Sequence, residues 1–166
     1  MRYGQIREFD IANGPGIRSS IFVTGCTQNC KNCFNKKYQD FNFGEEWSED
    51  QTHQVLKYLE KDVNNGLTIL GGEPFENTTG LLPIVAEIRA KTDKTIWIYS
   101  GYTFECLIQD EDNKKLLSFC DVLVDGPFIE EMKDLTLQFK GSSNQRIIDL
   151  NQSFKSRNIV LWSDRK

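Results

Sequence analysis

Cys26, Cys30 and Cys33 fall within eight positions, spaced four and then three apart, in the stretch Gly25-Cys26-Thr27-Gln28-Asn29-Cys30-Lys31-Asn32-Cys33-Phe34-Asn35. Three thiolates converging from one short loop can each hold one metal atom of a compact cluster. A closed structural site uses four protein ligands, whereas a catalytic site keeps one position open. No fourth cysteine stands nearby, so the loop reads as a cuboidal iron–sulfur site with one iron left for a small molecule. The plainer readings are a structural zinc site with a distant fourth ligand, or three core cysteines. Core cysteines are common singly, but three at this spacing in a polar loop do not suit a core. Cys106 and Cys120 could in principle complete a zinc site. Cys106 falls in an apolar helical stretch and Cys120 opens a strand, so both read as small core residues.

A second stretch with chemistry in it is Gly71-Gly72-Glu73-Pro74. Two glycines let a ligand approach the backbone closely. Glu73 offers a carboxylate for an amine, and Pro74 stops the strand from continuing. A plain turn accounts for the glycines, but not for a carboxylate beside them. Ser100 and Asp125, each next to a glycine, are candidate polar contacts, Asp125 as an acid behind the site. Both also suit ordinary turns. The only histidine, His53, lies off the apolar stripe of its helix and reads as a solvated residue rather than a ligand.

These residues need elements to position them. The first eighteen residues read as a short strand and a turn marked by Asn13-Gly14 and Pro15-Gly16. Arg18 is placed at the mouth of the strand leading to the cysteines, where a tight connection is a sufficient explanation. Residues 19–24 form that strand, and 36–47 show no period and read as loop. Ser48 and Gln51 have the spacing of a capping box. Val55, Leu56, Leu59 and Val63 continue that helix as one stripe, with Gly66 as its stop. A strand follows at 67–70, then a helix over 80–91 in which Pro83 is tolerable only in the first turn. Further elements are a strand at 95–99, a helical region broken near 110–112, and a strand at 121–124. Residues 147–148 and 159–162 look like closing strands. The repeat of strand, glycine-bearing turn and helix argues a parallel sheet. In such sheets reactive residues collect beyond the C-terminal strand ends, which is where each unusual motif stands.

Composition narrows the class. The chain has 166 residues and a net charge of −4, with acids and bases interspersed. Phosphate binding normally shows as a basic excess, so a nucleic-acid partner is not expected. No apolar run approaches the ~20 residues that span a bilayer, and the start lacks the apolar centre of a signal peptide. A cytoplasmic protein without a membrane partner is expected, where thiols stay reduced.

Cys-x3-Cys-x2-Cys at 26, 30 and 33 with Gly-Gly-Glu-Pro at 71–74 resembles the radical S-adenosylmethionine enzymes. More closely, Asn13-Gly14-Pro15-Gly16-x-Arg18, Gly25-Cys26, Cys33-Phe34-Asn35, Asp125-Gly126-Pro127-Phe128 and Gly141-Ser142-Ser143-Asn144-Gln145-Arg146 resemble the activating proteins of anaerobic (class III) ribonucleoside-triphosphate reductases, which are glycyl-radical enzyme activases. The likeness spans nearly the whole chain. It implies a [4Fe–4S] cluster on Cys26, Cys30 and Cys33, its open iron chelated by the amino and carboxylate groups of S-adenosyl-L-methionine. Gly71, Gly72 and Glu73 would hold the methionyl amine and its neighbourhood. Backbone around Asn32, Cys33 and Phe34 would meet the adenine, and Ser100 and Asp125 the methionyl or ribosyl part. Reductive cleavage would give methionine and a 5′-deoxyadenosyl radical, which takes hydrogen from a glycine α-carbon of the partner reductase. No protein side chain need act as general base, and a flavodoxin-like or other external electron donor is implied. Two positions depart from the pattern. Asn32 stands where an aromatic residue is usual, and Gln28 replaces a histidine often seen in the loop, with little effect expected.

The implied fold is α/β, a parallel β/α barrel of the radical S-adenosylmethionine type in one domain over 1–166. A complete eight-stranded barrel needs ~250 residues. The expected form is therefore a partial, open barrel whose side entrance suits a loop of another protein. The alternatives are another radical S-adenosylmethionine enzyme, either a different glycyl-radical activase or a small-molecule enzyme, and a zinc-stabilised binding module.

Overall fold

A computed structural model describes residues 1–164. The chain opens with β1 (Arg2–Asp10) and β2 (Ile17–Val23), followed by a two-residue edge strand, β3 (Glu45–Glu46). Helix α1 (Glu49–Leu59) leads to β4 (Asn64–Gly71), and α2 (Thr78–Lys91) to β5 (Thr95–Tyr99). Two short helices, α3 (Phe104–Leu107) and α4 (Glu111–Ser118), precede β6 (Val122–Asp125). The last elements are β7 (Arg146–Asp149) and α5 (Leu150–Ser156).

All seven strands form one sheet in the order β3-β1-β2-β4-β5-β6-β7. The middle four, β2, β4, β5 and β6, are parallel. The flanks are antiparallel: β3 to β1, β1 to β2, and β7 to β6. The expected parallel sheet thus holds in the middle of a mixed one, within a single α/β domain. The reason is connection length at the first flank. Residues 11–16 join β1 to β2, and so short a link cannot make the crossover that parallel strands require.

Helices cover one face of the parallel core and aromatic side chains part of the other, as its near-continuous apolar strands demand. On one face Ile21, Val23, Leu67, Ile69, Ile96, Ile98 and Leu123 pack with Val55, Leu59, Leu81, Val85, Ile88, Leu116 and Leu117 of the helices. On the other, Phe22 and Leu70 pack with Tyr38, while Trp97, Val122 and Val124 pack with Phe139 and Trp162. Trp97 meets both of those rings edge-on, at 5.5 and 5.0 Å.

Several expectations are corrected. Gln51 does accept from the Ser48 backbone N–H at 2.8 Å, as the capping spacing predicts. The helix then ends at Leu59, so Val63 is exposed, and Gly66 lies inside β4 rather than at a helix stop. Pro83 is the sixth residue of α2, beyond the first turn. It is exposed, as is Thr79, so water can satisfy the carbonyl that loses its partner. Residues 36–47 include a 3-10 turn, Lys36–Gln39, and β3. Leu161 makes only an isolated bridge to Ile148, not a strand over 159–162, and α5 was not signalled by any cap-and-stripe pattern. Cys120 is buried as expected, but Cys106 is exposed. Its helix is four residues long and buries only Phe104 and Leu107.

Arg18 belongs to the opposite end of the sheet from the cysteines. It is 1% exposed and braces the starts of the neighbouring strands. Nε donates to Thr68 Oγ1 at 2.9 Å, Nη1 to Thr95 Oγ1 at 3.0 Å, and Nη2 to the carbonyls of Leu67 and Thr95 at 2.8 and 3.0 Å. Burial lowers its pKa to about 10.

Candidate functional site

The four parallel strands deliver their C-terminal ends to one rim, and each end carries one of the motifs. The cysteine loop follows β2, Gly71-Gly72-Glu73-Pro74 closes β4, Ser100-Gly101 follows β5, and Asp125-Gly126 closes β6. Cys26, Cys30, Cys33, Phe34, Gly71, Gly72, Glu73 and Ser100 all line one cavity of about 160 Å³. Asn32 and Asp125 are not among its lining residues.

The cysteine loop is shaped by its asparagines. Asn29 and Asn32 take φ of +49° and +54°, a conformation that asparagine tolerates better than most residues. The Cys33 N–H donates to the Cys30 carbonyl at 3.2 Å and closes the turn between those two cysteines. Asn32 therefore has a conformational role, and its side chain is exposed. The Gly25 and Cys26 N–H groups donate to the carbonyls of Tyr38 and Gln39 at 2.8 and 3.0 Å, anchoring the start of the loop. All three cysteines are half-buried and unbridged. Burial pushes the Cys26 thiol up to about 11 and raises that of Cys30 as well. Three thiols facing one cavity fit a cationic group of soft metal, which binds the thiolate form. Among the described residues no three His, Cys, Asp or Glu side chains gather about a point suited to a single ion.

The two glycines of β4 have a reason within the chain itself. A Cβ on Gly71, which has φ +113°, would lie 2.5 Å from the Val23 carbonyl oxygen, and one on Gly72 2.6 Å from that of Gly25. The close approach is of strand to strand: the Gly72 N–H donates to Val23 at 2.7 Å and the Glu73 N–H to Gly25 at 2.8 Å. Both glycines still border the cavity.

Glu73 is 1% exposed and accepts four hydrogen bonds. Oε1 accepts from the Phe75 N–H at 3.0 Å and the Ser100 hydroxyl at 2.9 Å. Oε2 accepts from the Gly101 N–H at 2.8 Å and the Gln28 amide at 3.1 Å. Burial outweighs these donors and raises its pKa to about 7. Among the described residues no lysine, arginine or histidine pairs with it. A buried carboxylate normally has a counter-charge, so the cavity suits a ligand that brings an ammonium.

Asp125 works behind the cavity. Oδ2 accepts from the Phe104 N–H at 2.7 Å and from Arg146 Nη2 at 2.6 Å, and Oδ1 accepts from Arg146 Nε at 3.0 Å. Arg146 also donates to Glu105 through Nη1 and Nη2. Residues 141–146 thereby clamp the rim. Gln145 Oε1 accepts from the N–H groups of Gly141 and Ser142, while its amide donates to the Gly126 carbonyl. Phe34 packs against Phe128 with the rings tilted and their centroids 5.0 Å apart, and stays 61% exposed.

Some contributors were not singled out from sequence. Glu76 accepts from the Thr27 N–H at 2.9 Å, the Thr27 hydroxyl at 2.5 Å and the Tyr102 hydroxyl at 2.7 Å. The bond to Glu76 helps push the Tyr102 hydroxyl up to about 12. Tyr99 borders the cavity and donates to the Phe139 carbonyl at 2.6 Å. The one sequence signal was proximity, since Glu76 and Tyr102 each sit within three residues of a marked position.

The family model for the 4Fe-4S single cluster domain matches residues 12–148. Anaerobic ribonucleoside-triphosphate reductase-activating protein of Pasteurella multocida is 39% identical over 158 residues, covering 92% of this chain and 99% of that protein. The chain belongs to this family. The activating protein of Escherichia coli K12 is 35% identical over 87% of this chain and 96% of its own length. That of phage T4 is 33% identical over 89% and 93% respectively. The cysteine loop, the glycine-bearing end of β4 and residues 141–146 described above are thus features of a reductase-activating protein.

Proposed function

We propose that the chain activates anaerobic ribonucleoside-triphosphate reductase as a radical S-adenosylmethionine enzyme. One observation carries the reading: three thiols of a single loop share a cavity with a buried carboxylate that has no cationic partner among the described residues. Cys26, Cys30 and Cys33 are the residues that would hold a [4Fe–4S] cluster. Bound there with S-adenosylmethionine, such a cluster would supply the electron for reductive cleavage to methionine and a 5′-deoxyadenosyl radical, which would take hydrogen from a glycine α-carbon of the reductase.

The chain's own residues bind, orient and shield. Glu73 pairs with the methionyl ammonium, and Ser100 and the Gly101 N–H hold the Glu73 carboxylate in place. Gly71 and Gly72 keep the end of β4 against the cysteine loop beside that amine. Phe34, Cys33 and the turn made by Asn32 flank the adenine. Asp125 acts through α3, by holding the Phe104 N–H and so the segment that carries Ser100. Leu70, Tyr99 and Phe128 exclude water from the cavity.

We read the sheet as a partial β/α barrel of the radical S-adenosylmethionine type, one domain over 1–166. Its two edge strands, β3 and β7, do not pair with each other in the described structure. A second cavity of about 410 Å³, bordered by Phe22, Leu135 and Phe139, shares Phe34, Leu70, Tyr99 and Phe128 with the first. It is the side entrance for a glycine-bearing loop of the reductase. A flavodoxin-like reductant and a cytoplasmic setting, with neither membrane nor nucleic acid as partner, complete the proposal. No helix among the described residues is long and apolar enough to cross a membrane.

The test is anaerobic reconstitution with iron and sulfide. About four irons per chain are expected. Addition of S-adenosylmethionine and reductant should yield 5′-deoxyadenosine, and addition of the reductase a glycyl-radical doublet in electron paramagnetic resonance. A colourless protein with one zinc, or an iron-loaded protein that forms no 5′-deoxyadenosine, would sink the reading. Another radical S-adenosylmethionine activity would give 5′-deoxyadenosine without the doublet.

A further inference from the structure

Glu73 is held by four donors, and they are not alike. The N–H groups of Phe75 and Gly101 and the hydroxyl of Ser100 belong to the turns that build the rim. They stay in place as long as the fold does. The fourth, the Gln28 side-chain amide, comes from the cysteine loop, borders the cavity and makes the longest contact of the set, 3.1 Å. The opposite wall is shaped around it. A Cβ on Gly101 would lie 2.1 Å from Gln28 Oε1, so a residue with a side chain there would strike the amide.

The loop around Gln28 is pinned independently. Both the N–H and the hydroxyl of Thr27 bind Glu76, which also takes the Tyr102 hydroxyl. The Gln28 amide can therefore leave Glu73 by side-chain rotation while the loop stays where it is. What it would leave is an acceptor position on a buried carboxylate that has no cationic partner among the described residues. A neutral amide fills that position with a hydrogen bond but supplies no charge. An ammonium supplies both, and charge-assisted bonds are roughly twice as strong as neutral ones.

We infer that the Gln28 amide is a built-in occupant of the ammonium position on Glu73, displaced when the α-amino group of an S-adenosyl amino acid binds. Gln28 is thus a specificity-determining residue. Ligands with an α-ammonium displace it, and adenosyl thioethers without one leave it in place. The inference rests on the S-adenosylmethionine reading above. It has a direct cost, because a ligand that must evict an occupant shows weaker apparent affinity than the empty site would give.

The experiment is calorimetric titration of the anaerobically reconstituted parent chain and of Gln28→Ala, matched for iron content. Two probes are used: S-adenosylmethionine and 5′-methylthioadenosine, which lacks the amino-acid portion. In Gln28→Ala the Kd for S-adenosylmethionine should fall about five- to tenfold, the scale of one ordinary hydrogen bond, with that for 5′-methylthioadenosine nearly unchanged. Gln28→Met, which keeps the length of the side chain but not the amide, should act in the same direction and serves if the alanine variant fails to load iron. An S-adenosylmethionine Kd that is unchanged or higher, or an equal shift for both ligands, would overturn the inference alone. Failure of the iron-loaded parent to bind S-adenosylmethionine would overturn the underlying reading as well.

Discussion

Glu73 concentrates the chemistry of the rim into one side chain. Its folded pKa, about 7, lies above the ordinary 4.5 because burial penalises the charged form. The folded chain therefore holds this proton more tightly than the unfolded chain does. The stability this group contributes is complete below about pH 4.5 and is lost as pH rises through 7. The carboxylates of Asp10 and Glu105 are shifted the other way, and their contribution is lost only on acidification below that window. Thermal unfolding of the ligand-free chain should thus show a Tm that falls between pH 4.5 and 8, and Glu73→Gln should flatten that slope. An equal slope in both proteins would refute this account. The cysteines give a simpler residue-scale outcome. Alanine at 26, 30 or 33 should abolish iron retention after desalting, whereas Cys106→Ala, on the exposed side of α3, should load as the parent does.

Elements hold these residues through a few bonds between segments distant in sequence. The start of β7 shows this most clearly. Arg146 joins the buried carboxylate of Asp125 to Glu105, and Asp125 in turn fixes the Phe104 N–H at the start of α3. Removing the arginine leaves Asp125 buried without a cation. Arg146→Ala should cost about 2–3 kcal/mol, below the full value for a buried pair because the guanidinium is partly solvated. Differential scanning calorimetry measures this directly, and a loss under about 0.5 kcal/mol, the size of an ordinary surface change, would remove the clamp from the account. Helix α2 offers the converse. Pro83 in its second turn deletes one backbone hydrogen bond, so Pro83→Ala should raise stability by about 1–2 kcal/mol, less than the full helix-interior penalty because the site is exposed.

At the scale of the molecule, the decisive feature is that the sheet does not close among the described residues. The face opposite the helices is covered by Tyr38, Phe139 and Trp162 only in part, and the second cavity leaves Leu135 84% exposed at its edge. On the proposed function this is where a polypeptide enters. Leu135→Asp should therefore weaken activation of the reductase at least tenfold, read as the concentration giving half-maximal glycyl radical, since a charge at an apolar contact costs more than about 1.4 kcal/mol. Iron content and 5′-deoxyadenosine formation without the reductase should stay within about twofold. If both activities fell together, the open face would belong to the cofactor site instead.

Local chemistry and local periodicity were readable in the amino-acid order alone. The Cys-x3-Cys-x2-Cys loop, the carboxylate after two glycines, the capping box at Ser48 and the placement of every motif after a strand depend on residues near one another in sequence. So does β5, whose bounds agree with those expected. What tertiary structure decided depends on contacts between distant segments. The antiparallel flanks follow from which strand ends meet. Arg18 lies at the far end of the sheet because its donors match oxygens on β4 and β5. The 141–146 run acts as a clamp because Asp125 and Gly126 reach it across a twenty-residue connection. Gln28, of little account as a position in a motif, gains its meaning from Glu73 and Gly101, which lie 45 and 73 residues away. Spacing along the chain encodes which groups a short loop can present together. Only folding determines which groups from other strands complete their hydrogen bonds and neutralise their charge.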